Sequence, residues 1–238
     1  DRLGLRLRHA LSASMAPARR DALSLAALGA AALALRIPFL PAYDEDLDTL
    51  RFRLALERFD IAEIRPHAPY YPVYLAAAKL LTLLGASPRA ALGLVCAASG
   101  AALIVLLTLL AFELLGRRAA ALTALLAIAS PFLWLSAEKL GSDTPGAALV
   151  VASLWLLARA HRLPERAPAL RTTAIVLLGL GLGVRLSYFP FALACTLVVA
   201  RAEGGSRALL ARARDLATGA SLWLVPLILV AGARPLVT

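Results

Sequence analysis

The chain has 238 residues, of which 61% are hydrophobic, and its mean hydropathy of +0.77 excludes an ordinary soluble domain and points to a helical membrane protein. The net charge of +10 does not describe a nucleic-acid binder, because the arginines fall in short clusters between apolar runs and form no basic stripe with interleaved aromatics. Cys96 and Cys195 both lie inside apolar runs and read as small buried residues, not as a disulfide.

The sequence begins at Asp1, with the first Met at Met15, so the start is expected at Met15 or upstream of the stretch given. Arg2, Arg6, Arg8, Arg19 and Arg20 precede an apolar run over 23–40 that ends in Arg36-Ile-Pro38 without a small-residue cleavage site. This predicts an anchoring first transmembrane helix behind a basic cytoplasmic segment, 1–22, and not a signal peptide. Further apolar segments lie at 70–84, 90–115, 119–136, 145–160, 172–200 and 217–233. Residues 23–233 are read as one transmembrane domain, and 234–238 as a truncated external end.

Basic clusters fix the sides. The N-terminus, Arg117-Arg118, the group Arg159/Arg162/Arg166/Arg171 and the group Arg201/Arg207/Arg212/Arg214 are all expected on the cytoplasmic face. Two full crossings at 70–84 and 90–115 would put Arg117-Arg118 outside. The shorter segment, which carries Lys79, is therefore predicted as a juxtamembrane or re-entrant helix. The run 172–200 has basic clusters at both ends yet only 29 residues, too few for two crossings of about 20 each. It is predicted as two short helices meeting near Arg185-Leu-Ser-Tyr-Phe-Pro190. The fold class is then all-α: a polytopic helical membrane protein with juxtamembrane helices in a first external loop, 42–89, and a short re-entrant helix pair.

That external loop holds seven of the fifteen acidic residues: Asp44, Glu45, Asp46, Asp48, Glu57, Asp60 and Glu63. An amphipathic helix is predicted over 48–60, with Leu47, Leu50, Leu54 and Ile61 on one stripe and Phe52, Leu56 and Phe59 on another. Helix capping would account for one carboxylate among Asp44, Asp46 and Asp48. Four acids in five positions exceed that need, and clustered carboxylates perturb one another. Arg65-Pro-His-Ala-Pro-Tyr-Tyr-Pro72 follows, a rigid aromatic segment whose prolines predict an extended loop. His67, Tyr70 and Tyr71 are candidates for substrate binding there, with a structural hydrogen bond the alternative for His67. Lys79 either faces a cavity or snorkels.

Asp143, in Gly141-Ser-Asp-Thr-Pro145, is either a helix cap or a functional carboxylate set slightly below the surface. Arg185 is the sole charge in its apolar run. A charge at that depth costs at least about 2.5 kcal/mol, so it pairs with Asp143, snorkels, or holds a phosphate. Gly179-x-Gly-x-Gly183 lies inside an apolar helix and reads as close helix packing, not a nucleotide loop. Zinc, P-loop, HExxH and nucleophile-elbow patterns are absent from the sequence, and no internal repeat is visible.

Asp48-Thr-Leu-Arg-Phe-Arg-Leu-Ala-Leu-Glu-Arg-Phe-Asp60 with Arg65-Pro-His-Ala-Pro-Tyr-Tyr-Pro-Val-Tyr74 resembles the first external loop of the GT-C glycosyltransferases, relatives of the protein O-mannosyltransferases and the aminoarabinose transferases. Leu115-Gly-Arg-Arg118, Ser130-Pro-Phe132, Ser142-Asp143 and Gly183-Val-Arg185-Leu-Ser187 are similar to later landmarks in the same order. The His-Pro-Pro-type motif here reads His67-Ala-Pro69, and the chain is shorter than members of that superfamily, as an N-terminal catalytic half would be. The resemblance implies transfer of a sugar from a polyprenyl-phosphate donor to an acceptor (protein, lipid or glycan) at the non-cytoplasmic face of a bacterial inner membrane. It implies inversion, with Asp48 as general base and Asp143 orienting the acceptor or assisting the base. Arg185, with Lys79 or His67, would hold the phosphate, and Asp44 and Asp46 would complete the substrate site. A divalent cation between Asp48 and Asp143 is a further expectation from one branch of the superfamily. The main competing reading is a lipid or solute transporter or flippase, with a non-catalytic membrane scaffold as a third.

Overall fold

A computed structural model of the chain describes residues 19–231. The basic residues at 1–18 and the end at 234–238 fall outside the described residues. Ten α-helices are present among them: α1 Arg19–Ala34, α2 Leu47–Glu57, α3 Pro72–Leu83, α4 Pro88–Leu115, α5 Arg117–Ala129, α6 Pro131–Glu138, α7 Asp143–Arg162, α8 Ala167–Leu182, α9 Phe189–Glu203 and α10 Ser206–Ala231. The described residues contain no β-strand, only an isolated antiparallel bridge between Asp60 and Arg65. The protein is all-α and polytopic, as the apolar runs predicted.

Prolines and caps set the helix starts. Ser87 accepts the Ala90 N–H and Pro88 occupies the first turn of α4, where a missing N–H costs nothing. Ser130 and Pro131 do the same for α6. This second start corrects the expectation of one continuous helix over 119–136: α5 and α6 are separate and bent by 56°. Gly116 ends α4 at φ +88, a conformation that only glycine adopts without strain.

Stretches Asp21–Phe39, Pro88–Leu115, Leu186–Glu203 and Ser206–Val230 are each long and apolar enough to cross a membrane, and the bent α5–α6 pair makes a fifth. Between these, α7 and α8 pack against each other and are held by α4 on one side and α10 on the other. The third helix, Pro72–Leu83, is too short to cross, in accord with the juxtamembrane reading. The break predicted in 172–200 falls at Gly183–Arg185, between α8 and α9.

Small residues make the tightest contact. A Cβ on Gly179 would run into the Leu216 carbonyl, and one on Gly219 into the Val176 carbonyl. Helices α8 and α10 therefore approach backbone to backbone, as glycine allows. Trp223 then packs over Gly183 and donates its indole N–H to the Gly179 carbonyl at 3.0 Å.

The helices run between two ends of different character. At one end, Glu113 binds Arg159 at 3.0 Å and Arg162, and Glu203 binds Arg171 at 3.1 Å and Arg212 at 3.0 Å. Asp21 takes Arg117 at 2.7 Å at that same end. Arg117, Arg159, Arg162, Arg171 and Arg212, from three of the basic clusters, gather there. The other end carries α2, α3, the α6–α7 connection and the α8–α9 break, and with them every candidate site residue.

Candidate active site

Helix α2 begins at Leu47, one residue earlier than the sequence suggested. Asp46, not Asp48, is its cap: the carboxylate accepts the Thr49 N–H at 2.8 Å. Phe52, Ala55 and Leu56 bury the inner face, while Leu47 on the other expected stripe is exposed. The helix stops at Glu57, short of the predicted 60.

The four acids of this cluster have different fates. Asp44 is clamped by two guanidinia, from Arg53 at 2.9 Å and Arg89 at 3.2 Å, with its side chain only 16% exposed. Asp46 binds Lys139 at 3.1 Å. Burial pushes the Asp46 carboxyl up, but the Thr49 backbone N–H and hydroxyl and the Lys139 ammonium outweigh it, and the group lies below its ordinary value. Glu45 has no ion pair among the described residues. Asp48 sits in the first turn of α2, 59% exposed, with its Oδ1 3.6 Å from Nδ1 of His67.

His67 is brought there by a folded loop. Both the Arg65–Pro66 and Ala68–Pro69 peptide bonds are cis, and Tyr70 and Tyr71 have φ values of +74 and +47. The expected extended loop is thus a compact turn, closed by the Tyr70 N–H on the His67 carbonyl at 2.9 Å. Two bulky residues in left-handed conformation cost about 1–3 kcal/mol each, so surrounding contacts must hold them. Phe52 supplies several: its ring lies 5.4 Å from His67, 4.9 Å from Tyr71 and 5.3 Å from Tyr74, centroid to centroid. Pro72 opens α3 rather than breaking a helix.

His67 Nε2 lies 3.1 Å from the Tyr71 hydroxyl. Its Nδ1 is buried without a hydrogen-bond partner and faces Asp48.

The second half of the site comes from α7 and the α8–α9 break. Arg185 Nη2 binds Asp143 Oδ1 at 3.0 Å, Nη1 donates to the Ser142 hydroxyl at 3.2 Å, and Nε to the Ser187 hydroxyl at 3.1 Å. Of its five N–H donors three are engaged, which leaves two. The pairing of Arg185 with Asp143, one of the alternatives read from the sequence, is what the fold contains. Tyr188 donates to the Asp143 carbonyl at 3.3 Å. Gly146 makes room for this, since a Cβ there would lie 2.5 Å from the Tyr188 ring and 3.4 Å from Arg185 Cβ.

Tyr71 joins the two halves. Burial pushes its phenol above the ordinary value, Arg185 pulls it down, and Asp48 and Asp143 push it up again. A single hydroxyl therefore sits in the field of both carboxylates and the guanidinium.

Lys79 lies elsewhere. Its ammonium donates to the Leu56 carbonyl at 2.7 Å, at the C-terminal end of α2, where it lines a separate cavity of about 320 Å³ with Phe59, Leu75 and Leu227. Among the described residues no three of His, Cys, Asp and Glu form a group that could hold a metal ion. Asp143 is already paired with the Arg185 guanidinium, whose positive charge opposes a divalent cation shared between Asp143 and Asp48.

Sequence reasoning missed Arg36. Its side chain is 0% exposed, stacks over Trp134 at 5.4 Å and donates to the Ala32 carbonyl at 2.7 Å. Its position beside Pro38 reads as an ordinary helix end, and its burial has no sequence signal.

A family model described as dolichyl-phosphate-mannose-protein mannosyltransferase matches residues 66–231. The matched region contains His67, Tyr71, Asp143 and Arg185 and begins after Asp48. No curated protein and no solved structure matches the chain.

Proposed function

The chain belongs to the dolichyl-phosphate-mannose-protein mannosyltransferase family, a family of membrane glycosyltransferases, and from that premise we propose that it moves a sugar from a polyprenyl-phosphate donor to an acceptor hydroxyl with inversion. The observation that carries this reading is the meeting of Asp48, His67, Tyr71, Asp143 and Arg185 at one end of the bundle. A base and an anion-binding cation are the two groups such a reaction requires.

Asp48 takes the acceptor proton. Its neighbours Asp44 and Asp46 are occupied by Arg53, Arg89 and Lys139; of the two carboxylates without a cation, Glu45 and Asp48, it is Asp48 that lies beside His67. As the proton leaves, the acceptor oxygen bonds to the anomeric carbon from the face opposite the phosphate. The bond from that carbon to the phosphate oxygen breaks, and its electron pair stays on the phosphate. Arg185 receives that charge through its two remaining N–H donors, held in place by Asp143, Ser142 and Ser187. A fixed guanidinium needs no reorganisation as charge develops, which is where electrostatic catalysis is largest.

The site lies at the end away from Arg117, Arg159, Arg162, Arg171 and Arg212, which supports a site on the non-cytoplasmic face by the positive-inside rule. A donor with an isoprenoid tail would enter from the bilayer, against surfaces such as Phe189 and Phe191 that the fold leaves exposed. Membranes carrying the protein are expected to pass label from a radioactive polyprenyl-phosphate sugar to an acceptor, and Arg185→Gln is expected to abolish it. Failure of the wild type with every donor sugar tried would overturn the reading.

A further inference from the structure

The Asp48–His67–Tyr71 chain has a property that an isolated carboxylate base would lack. His67 Nε2 lies 3.1 Å from the Tyr71 hydroxyl, which can donate or accept; in the tautomer that carries its proton on Nε2, neutral His67 presents the lone pair of Nδ1 to Asp48 Oδ1 across 3.6 Å. Two acceptors then face each other with no proton between them. Nδ1 is buried and has no hydrogen-bond partner among the described residues. One added proton turns the gap into a charge-assisted hydrogen bond.

We propose that His67 is a positioning and proton-sharing residue for Asp48, so that the proton removed from the acceptor comes to rest between Asp48 Oδ1 and His67 Nδ1, with Tyr71 holding the ring through Nε2. This rests on the transferase reading above. The acceptor O–H bond breaks and its proton binds the Asp48 carboxylate. That proton is then shared with the Nδ1 lone pair and leaves to water after the glycosylated product departs. No other reactant is consumed. Phe52 holds the ring at its angle, with the His67 and Phe52 planes tilted by 40°, and α2 fixes Asp48 through its Asp46 cap. Tyr71, ahead of α3, lies against His67, and its phenol is in turn in the field of Asp48, of Asp143 on α7 and of Arg185 at the α8–α9 break.

The test is steady-state kinetics with the full chain in membranes, using a polyprenyl-phosphate sugar and measuring kcat and donor KM separately. His67→Gln is expected to lower kcat by about 10²-fold, the low end of what general-base assistance contributes, with donor KM unchanged. Added imidazole is expected to restore part of the kcat of His67→Ala. Tyr71→Phe keeps the aromatic contacts with Phe52 and removes only the hydroxyl that holds Nε2. It is expected to lower kcat several-fold at constant KM, and it remains informative if His67→Gln does not fold. An unchanged kcat in His67→Gln, or a rise in KM alone, would overturn the proposal and make His67 a structural or substrate-binding residue. An inactive wild type would instead overturn the transferase reading itself.

Discussion

Val73 donates its backbone N–H to the carbonyl of Gly183 over 3.0 Å. That bond ties the first turn of α3, next to Tyr71, to the break between α8 and α9 that carries Arg185. The two halves of the site are therefore locked through backbone, independently of any ligand.

This lock depends on the absence of a side chain at Gly183. A Cβ there would collide with the Trp223 ring and with the Val73 side chain. Gly183→Ala is expected to cost about 1–3 kcal/mol, the usual penalty for overpacking, and to reduce transfer further by separating Arg185 from Tyr71. Thermal unfolding in detergent and donor KM, measured on the same preparation, check both effects.

Asp143→Asn tests the role of the Asp143–Arg185 pair. The carboxylate is 58% exposed and Arg185 33% exposed, so the pair adds only about 0–1 kcal/mol to stability. Activity is expected to suffer far more than folding. Donor KM rises because Arg185 loses the partner that aims it, while the melting temperature moves by a few degrees at most.

The Asp46–Lys139 tie gives a pH prediction. The Asp46 carboxyl lies below its ordinary value of 3.8, so its contribution is present above that pH and is lost as pH falls through the lower folded-state value. Lys139 is raised above 10.5, first by its hydrogen bond to Asp46 and then by the charge of that carboxylate, so its contribution is present below 10.5 and is lost as pH rises past the folded-state value. The contribution of this pair is expected to be flat between these limits. Asp46→Ala is expected to cost about 0.5–2 kcal/mol on that plateau, as loss of a helix cap does, and to flatten the acid limb. Melting temperature against pH for both proteins shows this directly.

Gly219→Ala is expected to be among the most damaging substitutions far from the site. Its Cβ would press on the Val176 carbonyl and lie 2.9 Å from Gly179 Cα. Helices α8 and α10 would have to part, which a lower yield of folded protein and a lower melting temperature would register.

Much of this architecture was legible because charge and length are global constraints. Arginine clusters between the apolar runs pointed the candidate site residues to the opposite end, and 29 residues between two clusters pointed to a break near Arg185. The Ser130–Pro131 start was also written in the chain, but a continuous apolar run over 119–136 concealed it. The meeting of Asp48 with His67 was not legible. It depends on the left-handed Tyr70 and Tyr71, which neither propensity nor period announces. Lys79 sat on the expected helix, yet the face it uses was set by packing against the end of α2. Arg36 was invisible for the same reason: burial of a lone arginine is decided by what surrounds it, here Trp134 and the Ala32 carbonyl.

The central claim is that Asp48 is the base of a polyprenyl-phosphate-dependent transferase. The direct measurement is sugar transfer from a radiolabelled polyprenyl-phosphate donor in membranes carrying wild type or Asp48→Asn at matched expression and thermal stability. The account predicts transfer by the wild type and a loss of at least about 10²-fold in the variant. Equal transfer by the two proteins would contradict it and remove Asp48 from the mechanism.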